Sequence, residues 1–342
     1  MKLQRPFRSA WNALVKKVPL EAQLIITRRC NLSCGYCHEY DRHSPPVPLV
    51  LLLDRIRVLH SAKVIHITLL GGEPLLHPDL IKLVKAAASR AQVSVTTNGF
   101  LLSPALIQDL NGAGLTHLEI SVDQIFRDPA QYIQKTWDAL ESKIKMLQKH
   151  AAFSFHVNVV VCPETLDSLE NFLLTLRNEK IHATLDLVHT AEGKIALTGQ
   201  KALRIWDQYY SSLSPLSLLD EHYGRALLEG RQPTWTCRAG GRSLYVDEFG
   251  NVQWCSSTRG KWNIPLTALT PEQLESNRRK KKGCEEGCAM LCVYRDSAVD
   301  NALGASFRAL RLLVLRRKRN RNAKGPRILP APSAQRQQHD VS

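Results

Sequence analysis

The chain has 342 residues, 44% of them apolar, which is enough for one large domain with a core and a smaller one beside it. Nine cysteines, read without a secretory leader, point to metal work in a reducing cytoplasm rather than to a secreted disulfide framework, and the longest apolar run, Val47 to Leu53, is too short to cross a bilayer. The net charge of +15 belongs to the ends: residues 1–20 hold five bases, residues 301–339 hold ten, neither stretch has an acid, and the body between is close to neutral.

Phe7, Trp11, Leu14, Val15 and Val18 recur at helical spacing with Arg8, Lys16 and Lys17 interleaved, so residues 1–20 read as a basic amphipathic segment. From Ala22 to His189 strand-like and helix-like segments alternate. The strand candidates are Gln23–Thr27, His66–Leu70, Val93–Thr97, Leu118–Val122, Phe153–Val161 and Thr184–Val188, with helices over Pro78–Arg90, Pro104–Asn111 and Pro129–His150 among the connections. Alternation of this kind implies parallel strands joined by crossover helices, with reacting groups at the carboxyl ends of the strands. Those ends are polar or glycine-rich here. A cysteine loop follows the first strand and Gly71-Gly-Glu-Pro74 the second; Asn98-Gly99, Ser121-Val-Asp123 and His189 close the third, fourth and sixth.

Cys30, Cys34 and Cys37 fall within eight residues. Thiolates this close on one loop suit an iron–sulfur cluster. A cubane has four irons, so three cysteines leave one iron open, and an open metal position is where chemistry happens. A structural zinc site is the plainer alternative, but such sites usually present paired Cys-x-x-Cys units. The other plain alternative is a set of unrelated buried thiols.

Cys-x-x-x-Cys-x-x-Cys directly after an apolar strand resembles the signature of the radical S-adenosylmethionine (radical SAM) superfamily. The resemblance implies an α/β fold, a partial (β/α)6 TIM-like barrel, and a 4Fe–4S cluster whose free iron chelates SAM. The reduced cluster would cleave SAM to a 5′-deoxyadenosyl radical, and that radical would take hydrogen from substrate. It places Tyr36 near the adenine and gives Gly71, Gly72 and Glu73 to the amino group of SAM, the glycines allowing close approach to the ligand and the carboxylate meeting the ammonium. Ser121 and Asp123 match a polar pair that contacts the ribose or carboxylate. Asn98 lines the same mouth on this reading, although Asn-Gly is also a common turn dipeptide. Asn158 either points inward to SAM or is a partnered polar group of the core.

A second constellation comprises Cys237, Cys255, Cys284, Cys288 and Cys292. Ser243–Val246 and Val252–Trp254 flank a Gly250-Asn251 turn and read as a β-hairpin that brings the first two of these cysteines together. The last three are four apart, which puts them on one face if the segment is helical. The pattern resembles the small α+β twitch or SPASM-like domain that follows many radical SAM barrels. Five cysteines fit one auxiliary 4Fe–4S cluster with four protein ligands, one of the last three being spare; structural zinc is the alternative. Cys162 reads as a buried small hydrophobe, His38 has no spacing that makes it a ligand, and His189 reads as a solvated or hydrogen-bonded histidine, with substrate contact as the alternative.

Leu303, Phe307, Leu310 and Val314 precede the run Arg316-Arg-Lys-Arg-Asn-Arg321, a pattern suited to an anionic membrane surface. Nucleic acid suits the charge less, because no recognisable binding module accompanies it. The expected organisation is a basic amphipathic segment over 1–20, a radical SAM barrel over 21–215, an auxiliary cluster domain over 216–300, and a basic amphipathic segment with a disordered tail over 301–342. The expected activity is hydrogen abstraction from a peptide or protein side chain. A membrane lipid or lipid-linked substrate and a non-enzymatic Fe–S scaffold or redox sensor are the alternatives. The resemblance also implies a low-potential electron donor such as flavodoxin or ferredoxin. A cytoplasmic location is expected, with a peripheral position on the inner face of the membrane left open.

Overall fold

The computed structural model describes residues 11–126, 134–211 and 218–301. A single nine-stranded sheet organises them. Its first six strands are β1 (Glu21–Thr27), β2 (His66–Gly71), β3 (Gln92–Thr97), β4 (His117–Ser121), β5 (Ser154–Val161) and β6 (Ala183–Leu187), each parallel to its neighbour and in chain order. Between them lie α1 (Leu49–Ser61), α2 (Leu80–Ala88), α3 (Pro104–Ala113), α4 (Trp137–His150) and α5 (Leu166–Asn178). This is the α/β arrangement with a parallel sheet that the alternation predicts. All six expected strands are present, with ends shifted by a residue or two.

Local chemistry sets the helix limits. Helix α3 starts with Ser103 accepting a bond from Leu106 N and with Pro104 at its first position, and it stops at Gly114, whose φ of 85° few other residues adopt. Helix α4 begins at Trp137; the expected start at Pro129 lies outside the described residues. One face of each strand packs Val, Ile and Leu against the helices, for example Leu118 and Ile120 of β4, while His117, Glu119 and Ser121 on the other face stay half-buried. That second face lines the lumen.

The chain continues through α6 (Gln200–Ser211), α7 (Leu218–Leu228), β7 (Ser243–Val246), β8 (Asn251–Gln253), β9 (Ile264–Pro265), α8 (Pro271–Arg279) and α9 (Leu291–Ala298). The expected hairpin is there, but it forms no sheet of its own. Strand β7 adds in parallel to β1, Glu21 facing Ser243 and Leu24 facing Val246, and β8 and β9 extend the same sheet antiparallel. Helix α9 then comes back to the half-barrel. Its Cys292 accepts a long contact from Gln23 Nε2 of β1 at 3.9 Å, and the charge of Arg295 reaches Glu119 of β4 and Asp186 of β6.

Among the described residues of the amino end, 11–14 are helical; Lys17 already has a φ of 52°, so the amphipathic pattern does not run on to Val18. Trp11, Leu14 and Val15 are exposed, and Phe7 and the 302–342 tail lie outside the described residues. No helix among the described residues is long and apolar enough to cross a membrane.

Candidate active site

The cysteine loop is fixed by backbone bonds on both sides. Cys30 N donates to Asp41 O (2.9 Å), Asp41 N to Arg28 O (2.8 Å), and Cys37 N to Cys34 O (3.1 Å). The three thiols are near enough to act on one another's charge, and burial pushes all three up, Cys34 to about 11. Binding to a metal reverses that preference, since the thiolate is the ligand.

Gly71-Gly-Glu-Pro74 braces this loop. Gly72 N and Glu73 N donate to Thr27 O and Arg29 O, both at 2.9 Å. A Cβ on Gly71 would stand 1.9 Å from Thr27 O, and one on Gly72 2.3 Å from Arg29 O. Both glycines are therefore required by the close approach of the Thr27 and Arg29 carbonyls. Glu73 is fully buried: Oε1 accepts from Thr97 Oγ1 (2.6 Å) and Leu75 N (2.9 Å), and Oε2 from Asn98 N (2.7 Å). Burial raises its pKa and these three bonds lower it, with a net rise. A carboxylate has about four lone-pair sites, so one remains for a ligand ammonium.

Asn98 turns its amide to the cysteine loop, donating to Asn31 Oδ1 at 2.8 Å and lying 3.9 Å from Cys30 Sγ. Ser121 sits at the end of β4 opposite Asn158 of β5. Asp123, without exposed surface, accepts the Tyr36 hydroxyl at 2.6 Å and faces Lys135 Nζ at 3.4 Å. Lys135 Nζ also lies 5.0 Å from the centre of the Tyr36 ring, and neighbouring negative groups, Asp123 first among them, outweigh burial in keeping it charged. The Tyr36 hydroxyl is thus engaged by the protein. Asn158 gives Nδ2 to Asp186 (3.0 Å) and takes the Thr184 hydroxyl on Oδ1 (2.9 Å), the partnered core group of the two alternatives. Lys135 and Asp186 escaped the sequence reading: neither sits in a motif, and only the fold brings them to the site.

The second thiol set splits. Cys237, Cys255, Cys284 and Cys288 act on one another's charge, and burial pushes Cys237 and Cys288 up to about 12. The loop after β6 pins this segment, with Ile195 N donating to Gly287 O and Ala289 N to Gly193 O, each at 2.8 Å. Residues 284–290 are not helical, so the three late cysteines share no helix face; only Cys292 is in α9. Glu21, Arg295 and Asp186 are the charges that act on it, rather than the other thiols, although it borders the same small apolar cluster. Cys292 therefore stands apart from the other four thiols. Among the described residues no three Cys, His, Asp or Glu side chains are drawn together as a site for a single metal ion. Thiolate sets of three and of four suit clusters, the first with an open iron.

A cleft of about 240 Å³ joins the two regions. Tyr36 and Cys37 are on one wall, Met290 and Cys292 on another, with Asp186 and His189 at the end of β6. Cys162 is buried against Thr165, as a small hydrophobe should be. His38 lines the cleft rim; His189 Nδ1 is bonded to the Thr190 carbonyl at 2.8 Å.

Residues 24–176 match the model of the Radical SAM superfamily. The chain carries a radical SAM domain, and it is an enzyme. Its cofactors are a 4Fe–4S cluster and SAM, with thiols enough for an auxiliary 4Fe–4S cluster, and such enzymes need a reductant. Enzyme status removes the scaffold alternative. Among sequence relatives, a GTP 3′,8-cyclase of Microcystis aeruginosa is 33% identical over 171 residues, 44% of this chain and 50% of the relative. A probable GTP 3′,8-cyclase of Saccharolobus solfataricus is 28% identical over 60% of this chain and 70% of the relative. The chain spans about half the length, or less, of the curated relatives it matches most strongly. Among solved structures, anSMEcpe with bound AdoMet aligns over 87% of this chain and 99% of that one with a TM-score of 0.56 and 14% identity. Streptococcus suis SuiB bound to precursor peptide SuiA aligns over 84% and 74% with a TM-score of 0.59 and 14% identity. At that identity the likeness concerns the radical SAM fold alone.

Proposed function

We propose that this radical SAM enzyme holds its SAM cluster on Cys30, Cys34 and Cys37 and abstracts hydrogen from a peptide or protein side chain lodged in the cleft beside them. The reduced cluster supplies the electron that turns bound SAM into a 5′-deoxyadenosyl radical. Glu73, braced by Thr97, Leu75 and Asn98, offers its remaining lone pair to the SAM ammonium. Ser121 and Asn98 give the mouth its polar lining. Asp123 orients Tyr36 through the hydroxyl and Lys135 through its charge, fixing the loop between the second and third cysteines. Cys237, Cys255, Cys284 and Cys288 would hold the auxiliary cluster on the far side of the cleft.

One observation supports the reading most: the cleft opens against Cys37 and Tyr36, so an occupant meets the loop that bears the radical chemistry. The choice of substrate is supported by its lining. GTP 3′,8-cyclisation, the reaction named for the sequence relatives, is the second reading. A triphosphate wants Arg and Lys forks, but among the described residues lining the cleft there is neither, while Glu39 and Asp186 are both there. A lipid-linked substrate is supported only by the exposed Trp11, Leu14 and Val15.

Anaerobically reconstituted enzyme with SAM and dithionite is expected to release 5′-deoxyadenosine, and Cys34→Ser to abolish it. Full iron loading without that product sinks the assignment of the first thiols. Turnover of GTP to a cyclised nucleotide transfers the substrate to the second reading; its persistence unchanged, alongside hydrogen loss from a peptide pool, supports the first.

A further inference from the structure

Parallel barrels normally fill their interior with layers of Val, Ile and Leu. This lumen is hollow and polar instead. The strand positions that point into it are surrounded by protein yet keep partial solvent access, among them Glu21 on β1, Glu119 on β4 and Asp186 on β6. Helix α9 adds Asp296 from the side. Four carboxylates therefore share one interior, and unpaired charge there is costly.

Their partners are too few. Thr68 donates to Glu21 Oε1 at 2.6 Å and Asn158 to Asp186 Oδ2 at 3.0 Å. The Oδ2 of Asp296 is buried with no hydrogen-bond partner. Arg295 is the cation that acts on Glu119, Asp186 and Asp296 together. Arg242 reaches Asp296 as well, but it is already paired with Asp300 at 2.7 Å and bonded to the carbonyls of Ala13 and Val18. Glu119 has His156 Nε2 at 3.4 Å, whereas burial pushes His66 and His117 down, so neither of those two makes up the rest of the deficit. Burial and the nearby Glu21 push Asp296 well above the usual carboxylate range.

The lumen is continuous with the cleft at Asp186, which lines the cleft and belongs to the carboxylate group. Cys292 lines the cleft with Asp186, and Asp296 stands one helical turn beyond Cys292 on the same face of α9. We infer that the lumen receives a cationic group of the substrate, an alkylammonium or guanidinium, with Asp186 as its first partner and the orphaned oxygen of Asp296 as its second. This rests on the reading that the cleft takes the substrate. It narrows the substrate class to a cation and disfavours a polyanion.

Two sources carry that chemistry: a lysine-type side chain within a peptide, and a free amine. The reconstituted full chain, with SAM present, is titrated by calorimetry with N-acetyl-lysine methylamide, with its neutral isostere N-acetyl-norleucine methylamide, and with 1,5-diaminopentane. The lysine amide is expected to bind at least about tenfold more tightly than the norleucine amide, and Asp186→Asn and Asp296→Asn each to weaken it by about tenfold or more. Tighter binding of the lysine amide than of the diamine assigns the site to a side chain; the reverse assigns it to a free amine, and both support a cation receptor. Equal binding of lysine and norleucine amides to the unmutated enzyme overturns it, whatever the fate of the variants. So does unchanged lysine binding in both variants when their circular dichroism and iron content match the parent. The assay separates two failures: 5′-deoxyadenosine formed without cation preference removes this inference alone, and cation preference without 5′-deoxyadenosine removes the reaction alone.

Discussion

Asp123 has no exposed surface, yet Tyr36 gives it a hydroxyl at 2.6 Å and Lys135 faces it at 3.4 Å, with the ammonium itself 5.0 Å from the Tyr36 ring. Removing one member of a buried ion pair strands the other charge, which costs more than the pair contributes. Asp123→Ala should therefore lower unfolding free energy by about 3–5 kcal/mol in chemical denaturation. Asp123→Ala with Lys135→Met should recover much of that loss, because no charge is left behind. If the double variant is as unstable as the single one, the pair is not what holds the cysteine loop. The sequence marks Asp123, at a strand end beside Ser121, but nothing in it marks Lys135. Cys292 shows the opposite limit. Spacing grouped it with Cys284 and Cys288, and only the break in helix before Leu291 separates them. Cys255→Ser should cost about half of the reconstituted iron and Cys292→Ser none, if each cluster holds the same number of irons.

The strands between β1 and β6 were legible because each carries a run of branched apolar residues bounded by turn residues, and the strand ends announced the mouth of the site. How the two halves join was not legible. Arg242 is fully buried between them: Nη1 and Nη2 donate to Val18 O (2.5 Å) and Ala13 O (2.7 Å), and Nε pairs with Asp300 at 2.7 Å. The first of these bonds spans 224 positions of sequence, and no local pattern encodes such a pairing. A guanidinium with five donors in a fixed fork can satisfy carbonyls and a carboxylate at once, which a lysine cannot. Arg242→Ala orphans two carbonyls and removes one of the guanidinium groups on Asp300, which keeps Arg278 at 3.0 Å and Arg238 at 3.7 Å. The segment carrying Lys16 and Lys17 should then be cut by trypsin faster than in the parent protein, and stability should fall by about 1–3 kcal/mol for each orphaned carbonyl. An unchanged digestion rate at Lys16 and Lys17 would mean that the segment is held elsewhere.

Across the whole molecule, a cleft bounded by loops around residues 36–39, 186–189, 256–257 and 289–292 requires a lumen left open beneath it, and the polar groups that keep it open tie stability to pH. His117 is the clearest case. It contacts His156 Nδ1 at 2.6 Å and Ser154 at 2.8 Å, with Glu119 and His66 also acting on it, and burial pushes it down to about 4. In the unfolded chain it titrates in the ordinary histidine range near 6.5. Between those values the unfolded state binds the extra proton, so this contribution is full above pH 6.5 and is lost as pH falls towards 4. Its ceiling is about 3 kcal/mol, reduced by the solvent that reaches the ring. Asp186 and Asp296, raised by burial, act in the opposite sense over part of the same range, so the parent curve is a sum of opposing slopes. The difference between parent and His117→Gln isolates the histidine. Denaturant midpoints should converge as pH is lowered from 7 to 4.5, the parent losing more than the variant; parallel curves would show that His117 takes up its proton alike in the folded and the unfolded chain.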